Sequence, residues 1–317
     1  MTQDRPFLGI MLMLGFCVVA PMGDAFAKLL GGSIPLGQLL FVRFGIQVVL
    51  LIPLIWVTGR AWRIRGRVLW LTLLRTVLHI VGIGAMFTAL KFLPLADAVA
   101  IAFVMPFIMM LLGKYVLNEE VGSRRLWACV VGFVGTLLVV QPSFAEVGWP
   151  ALLPLAVAIN FAFFMLVTRH IAKDTDPVGL QAVSGVMAMM IMGPILWLTQ
   201  GADLPALQLV TLDISLPGDQ WTSLFEMPLF QLIAIGVLGT LAHLLMTWSL
   251  RYAPSATLAP MQYLEIPVAT IIGLAIFGDL PNGLAAIGIC ITVGAGLYIV
   301  FRERAIAQLE ARTPAPV

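Results

Sequence analysis

Ten continuously apolar stretches divide this chain, at roughly 7–29, 36–58, 68–90, 95–115, 124–141, 149–168, 177–199, 228–250, 256–276 and 282–301. As α-helices, segments of about 20 such residues cross about 30 Å of hydrocarbon. None alternates polar and apolar residues with period two, so they read as helices and not as barrel strands. The fold class is therefore an all-α membrane protein of ten transmembrane helices. Composition agrees, with 61% of the 317 residues hydrophobic and 11% charged at a mean hydropathy of +1.02. A soluble domain has no use for that much apolar surface. Residues 7–29 are too long for the apolar core of a cleavable leader and read as the first span.

The chain also repeats itself. Ala89-Leu-Lys-Phe-Leu-Pro-Leu-Ala-Asp-Ala returns loosely 160 residues later as Ser249-Leu-Arg-Tyr-Ala-Pro-Ser-Ala-Thr-Leu. At that offset Met86 meets Met246, Pro94 meets Pro254, Gly113 meets Gly273 and Glu119 meets Asp279, while Pro106 and Pro267 agree after a slip of one. The repeats are taken as 7–145 and 149–302, followed by a cytoplasmic tail at 303–317. Five spans per repeat is an odd number, so the second copy enters the bilayer upside down. The expected result is an inverted repeat with its pseudo-two-fold axis in the membrane plane and a site where the halves meet.

Orientation follows from the loop cations. With a cytoplasmic N-terminus, fourteen Lys and Arg fall on cytoplasmic segments and only Lys28 and Lys91 outside. Both termini are thus expected in the cytoplasm. The long outer loop near 200–227 holds Asp203, Asp213, Asp219 and Glu226 without a cation. The net charge of +2 carries no sign of nucleic-acid binding, because topology accounts for the basic loops.

The runs ALKFLPLADAVAIAFVMPFIMMLLGKYVLNEEVG and GFVGTLLVVQPSF resemble the EamA-type drug/metabolite transporter superfamily. SLRYAPSATLAPMQYLEIPVATIIGLAIFGDLP and GICITVGAGLYIVFRERA extend the resemblance to the second half. Arg75 and the Leu-Ala-Asp-Ala sequence look most like the branch that includes S-adenosylmethionine uptake proteins and the solute-carrier 35 G-type proteins; bacterial riboflavin and amino-acid exporters are other relatives. The resemblance implies ten helices and movement of a small organic metabolite through a central cavity, in a bacterial inner membrane. It does not imply one substrate.

Ionisable groups inside spans are the informative exceptions, since an unpaired ion at mid-bilayer costs several kcal/mol. They are Asp24, Arg43, Arg75, His79, Asp97, His243 and Glu265, with Asn160 the notable neutral polar residue. Glu265 falls at mid-depth in Met261-Gln262-Tyr263-Leu264-Glu265-Ile266-Pro267, where the proline is expected to bend the helix. Its carboxyl could carry a proton across or meet a cationic substrate group. Arg75 and His79 are four apart and share a helix face. A guanidinium there suits a substrate carboxylate or phosphate, and a structural hydrogen bond is the rival role for His79. Asp24 and Arg43 are expected to pair with each other and, with His243, to serve gating more than substrate contact. Gln262, Asn160, Phe103 and Tyr263 complete the candidate substrate set, the last two because they lie 160 residues apart beside the central prolines. Asn160 could equally join two helices. Trp56, Trp62, Trp70, Trp149 and Trp197 lie near span ends, as interfacial anchors do. The pair Glu119-Glu120 reads as a cap or a partner of Arg124 and Arg125.

Other chemistries lack their residues. Cys17, Cys129 and Cys290 are isolated, the three histidines are scattered, and no phosphate-binding GxxxxGK[ST] loop exists, so metal, disulfide, cofactor and ATP-driven functions are not expected. No catalytic constellation points to an enzyme. The substrate implied is zwitterionic or carboxylate-bearing, S-adenosylmethionine-like or amino-acid-like, with riboflavin or another aromatic metabolite as the alternative. The expected partners are that metabolite, the lipid bilayer and protons as coupling ion, for a monomer or a homodimer.

Overall fold

The computed structural model describes residues 5–119, 122–199, 204–207, 227–279 and 283–312. Glu120, Asp203, Asp213, Asp219, Glu226 and the last residues of the tail lie outside them. Within the described residues the chain forms twelve α-helices, two short 3-10 turns and no strand. The helices are α1 (Pro6–Leu30), α2 (Leu36–Thr58), α3 (Gly66–Ala89), α4 (Leu95–Ala102), α5 (Met105–Val116), α6 (Ser123–Val147), α7 (Leu153–Ile171), α8 (Pro177–Leu198), α9 (Pro228–Tyr252), α10 (Ser255–Gln262), α11 (Glu265–Phe277) and α12 (Gly283–Arg312). Seven stretches are long and apolar enough to cross a membrane, counting α4 with α5 as one, and three shorter apolar helical runs lie in α6, α11 and α12. The last helix runs to Arg312, so much of the tail expected at 303–317 is helical.

Helix ends follow local chemistry. Asp176 caps α8 by accepting hydrogen bonds from the Val178 and Gly179 amides at 3.0 and 3.1 Å, ahead of Pro177 at the first helical position. Gly278 ends α11 at φ +72, a conformation that favours glycine.

Two apolar spans are broken, and the breaks differ from expectation. The bend was expected at Pro267; instead α10 stops at Gln262 and α11 starts at Glu265, leaving Pro267 in the first turn of the new helix. Pro106 occupies the matching first turn of α5. A proline there has no N–H for the carbonyl four residues back, so Ala102 and Tyr263 lose their regular acceptor role and the chain closes with tighter turns. The amide of Phe103 reaches the Ala100 carbonyl at 3.1 Å, and that of Ile266 reaches the Tyr263 carbonyl at 3.3 Å.

Packing between helices falls into matched pairs. α1 packs on α9 as α7 packs on α3; α1 meets α11 as α7 meets α5; α2 meets α9 as α8 meets α3; and α4 meets α11 as α10 meets α5. Helices that would be their own counterparts, α2 with α8 and α6 with α12, pack on each other. Phe103 and Tyr263, which correspond at the 160-residue offset, touch with ring centroids 5.5 Å apart. Close approach relies on glycine: a Cβ at Gly132 would stand 2.6 Å from the Tyr263 ring. The five tryptophans named above are all exposed.

Candidate substrate site

A cavity lies where the halves meet, lined mostly by apolar side chains with a few polar ones among them, as small-molecule sites are. Its walls come from the end of the bundle where α1 and α3 finish and α2, α7 and α9 begin. Phe16, Ala20, Gly23 and Asp24 line it from α1, at a spacing that forms one stripe on a helix. Phe87 and Met86 come from α3, Val99 from α4, Phe161 from α7, Phe103 from the break between α4 and α5, and Met105 from the start of α5.

Four ionisable side chains interrupt this apolar lining: Asp24 on α1, Arg43 on α2, His243 on α9 and Glu265 at the start of α11. The break between α10 and α11 is what brings Glu265 to the cavity edge. Asp24 lies within electrostatic reach of both Arg43 and Glu265. The expected direct pairing of Asp24 with Arg43 is not what forms. Arg43 Nη2 instead lies 3.1 Å from His243 Nδ1, because α2 packs against the small residue Gly239 and carries the guanidinium onto α9. The same nitrogen of His243 is 2.9 Å from the Gly239 carbonyl. It can accept from Arg43 when bare or donate to the carbonyl when protonated, one at a time. Arg43 Nη1 and His243 Nε2 are buried and have no hydrogen-bond partner among the described residues. Unmet donors and acceptors beside a cavity fit a polar ligand.

The structure divides the candidate residues into two groups. Phe103, Glu265, Asp24, Arg43 and His243 meet at the cavity. Arg75, His79, Gln262 and Tyr263 lie behind its wall, fully buried. Arg75 is a hub joining four helices: it donates to Thr168 and Ser184 hydroxyls at 2.9 Å each, to the Gln181 amide oxygen at 2.9 Å and to the Thr247 hydroxyl at 3.3 Å. Its guanidinium also lies over the Phe164 ring, 4.6 Å from the centroid. All its neighbours there are neutral. His79 lies against His243, ring centroids 4.2 Å apart with the planes tilted by 44°, and neither of its nitrogens has a partner among the described residues. Gln262 Nε2 contacts the Met165 sulfur at 3.2 Å. The Tyr263 hydroxyl donates to the Cys129 carbonyl at 3.2 Å. Asn160 joins α7 to α3 by donating to the Leu78 carbonyl at 2.7 Å, the interhelical role. Asp97 occupies the first turn of α4, where its charge suits the helix dipole.

Phe16 and Phe87 were not singled out from the sequence, and Phe161, at a depth where a pocket could be, was left out of the candidate set; the three form much of the aromatic lining. The stripe Phe16 shares on α1 with Ala20 and Asp24, four and eight residues on, was the available signal for it.

The opposite end of the bundle is closed. Arg169 Nε lies 3.0 Å from Glu119 Oε1 with both side chains nearly buried, so Glu119 pairs with α7; the side chain of Arg125, one of its expected partners, lies outside the described residues. Arg251 donates to the Thr175 carbonyl, and Arg60 pairs with Asp176 at 3.0 Å. Beside the cavity, Lys28 pairs with Asp279 at 3.3 Å.

A multi-helix membrane bundle, closed at one end and holding a charged cavity toward the other, has the architecture of a small-molecule transporter. The model of the EamA-like transporter family matches residues 7–141 and again 148–302, and the chain belongs to that family. A riboflavin transporter of Brucella anthropi is 26% identical over 86% of this chain and 90% of its own. An S-adenosylmethionine uptake transporter of Rickettsia prowazekii is 22% identical over 93% of each chain. One solved crystal structure, 16% identical, superposes with a TM-score of 0.68 over 92% of this chain and 97% of that chain, so the fold is shared. The protein is a multi-pass inner-membrane transporter of small metabolites.

Proposed function

We propose that the chain moves a zwitterionic or carboxylate-bearing metabolite by alternating access, through ten spans arranged as two inverted five-helix repeats with cytoplasmic termini. The matched helix pairs, the odd number of spans per repeat and the cytoplasmic excess of Lys and Arg support this topology. On that reading the repeats are 7–145 and 149–302, and the cavity end faces outward.

The observation that carries the substrate class is the division of charge on the cavity walls. Asp24 and Glu265 stand on α1 and α11, which pack together; Arg43 and His243 stand on α2 and α9, which also pack together. A substrate carboxylate accepts hydrogen bonds from Arg43, a cationic group meets Asp24 or Glu265, and the body packs on Phe16, Phe87, Phe103 and Phe161. An S-adenosylmethionine-like or amino-acid-like molecule has those parts. Glu265 also serves as the carrier of a coupling proton. The four aromatic rings favour a second reading, a planar metabolite such as riboflavin.

A thermal-shift panel of purified protein with S-adenosylmethionine, amino acids and riboflavin, followed by uptake into proteoliposomes, tests the assignment. Zwitterions are expected to stabilise the protein and to be transported. Arg43→Gln is expected to weaken their binding about 10–100-fold, the equivalent of a charge-assisted hydrogen bond of roughly 1.5–3 kcal/mol. Binding of riboflavin alone, unaffected by Arg43→Gln, contradicts the zwitterion reading.

A further inference from the structure

Correspondence between the repeats connects the open cavity with the closed end of the bundle. At the 160-residue offset, the cavity-lining residues Ile83, Phe87 and Ala102 correspond to His243, Thr247 and Gln262. In the other direction, the lining residues Ile235 and Gly239 correspond to Arg75 and His79. The open cavity therefore has a counterpart set centred on Arg75, His79, Thr247 and Gln262, all of them now fully buried.

The two arginines occupy matching junctions. Arg43 stands on α2 and presses against Gly239 of α9; Arg75 stands on α3 and reaches Ser184 of α8. The α2–α9 and α3–α8 contacts are the same junction in the two repeats, with the arginine carried by opposite members. Burial alone does not explain the second set. Both nitrogens of His79 and the Gln262 amide oxygen are buried without a partner among the described residues, which is costly in a state that is permanently closed. The ion pairs also correspond: Lys28 at the end of α1 with Asp279 after α11, and Arg169 at the end of α7 with Glu119 after α5.

We infer that Arg75, His79, Thr247 and Gln262 line a second, cytoplasm-facing substrate site that is closed in this structure. In that site Arg75 receives the anionic group that Arg43 holds in the outward-facing site. The inference rests on the inverted-repeat reading above. When the Arg169–Glu119 end opens, the α3–α8 junction becomes a cavity wall, as the α2–α9 junction is in the present cavity. Arg75 then gives up hydroxyl and amide partners for the substrate's carboxylate, a stronger acceptor. The substrate passes from one guanidinium to the other without leaving an anion unpaired in the membrane.

The test needs no known substrate. In a cysteine-free background, Thr247→Cys is exposed in inside-out vesicles to an anionic sulfonatoethyl and a cationic trimethylammoniumethyl methanethiosulfonate. Met86→Cys reports the present cavity in right-side-out vesicles. Thr247→Cys is expected to react from the cytoplasmic side and to prefer the anionic reagent on the order of tenfold, the size of local electrostatic attraction. Arg75→Gln is expected to remove that preference and Arg75→Lys to retain it. Arg75→Met serves as a second neutral variant, with folding checked by size exclusion. A Thr247→Cys that never reacts from the cytoplasmic side, or a preference unchanged in the neutral Arg75 variants, overturns the inference. Arg43→Gln in the Met86→Cys protein separates the two proposals. If it changes charge preference in the outer cavity while the Arg75 variants change nothing, only the second site fails; if neither arginine matters, the outward site fails with it.

Discussion

Replacing Glu119 by Gln removes the acidic half of an ion pair whose partners are 3.0 Å apart and only 9% and 10% exposed. Arg169 keeps its bond to the Leu250 carbonyl at 2.6 Å, but its charge is left in a buried place without a counterion among the described residues. Removing one member of a buried pair costs on the order of 3–5 kcal/mol. The matching pair at the other end, Lys28 with Asp279, is longer at 3.3 Å and 20% and 35% exposed. Solvent screening holds such pairs to roughly 0.2–1 kcal/mol. Glu119→Gln is therefore expected to destabilise more than Asp279→Asn by about 2–4 kcal/mol. Denaturant midpoints of the two variants in one detergent measure the difference. The double variant Arg169→Gln with Glu119→Gln should recover part of the loss, because no uncompensated charge remains. Equal losses for Glu119→Gln and Asp279→Asn, or a double variant worse than the sum of its singles, would refute the argument from burial.

Three further outcomes follow from the geometry. Gly132→Ala puts a methyl within 2.6 Å of the Tyr263 ring and is expected to lower stability by about 1–3 kcal/mol, read by thermal unfolding. Gly239→Ala brings a methyl to 2.7 Å from Arg43 Nε, displacing the guanidinium without removing its charge; weaker binding with stability nearly preserved is expected, and unchanged affinity counts against Arg43 as a contact. Glu265→Gln should abolish accumulation driven by a pH gradient while retaining substrate exchange, since exchange moves no net proton; normal accumulation excludes the coupling role.

The helices themselves were legible because apolar length and loop charge are properties of consecutive residues. Nine of ten expected spans begin within two residues of a helix start, the exception being the span read from 149, where a 3-10 turn at Trp149–Leu152 leads into α7. The broken spans were legible only as a pair of prolines. Sequence located Pro267 but not the interruption before it, because the missing hydrogen bond falls four residues upstream of the proline. Within the site, Glu265, Phe103, Asp24, Arg43 and His243 were all named, yet the partnership of Arg43 with His243 was not. That contact joins residues 200 positions apart and depends on Gly239 letting α2 come close. The depth of Arg75 was equally invisible: its four partners come from three other helices, and no local pattern announces them.

The most direct test of the central claim is substrate protection of a cysteine inside the cavity. Ala20 lines it on α1 between Phe16 and Asp24. In a cysteine-free background, Ala20→Cys should react with an anionic thiosulfonate applied from outside. Saturating amounts of a compound that the same protein transports in proteoliposomes should slow that reaction by on the order of tenfold or more, as occupancy of a shared site requires. Reaction at the same rate with and without the transported compound would contradict the account, because its substrate would then bind somewhere other than between the acidic and basic walls.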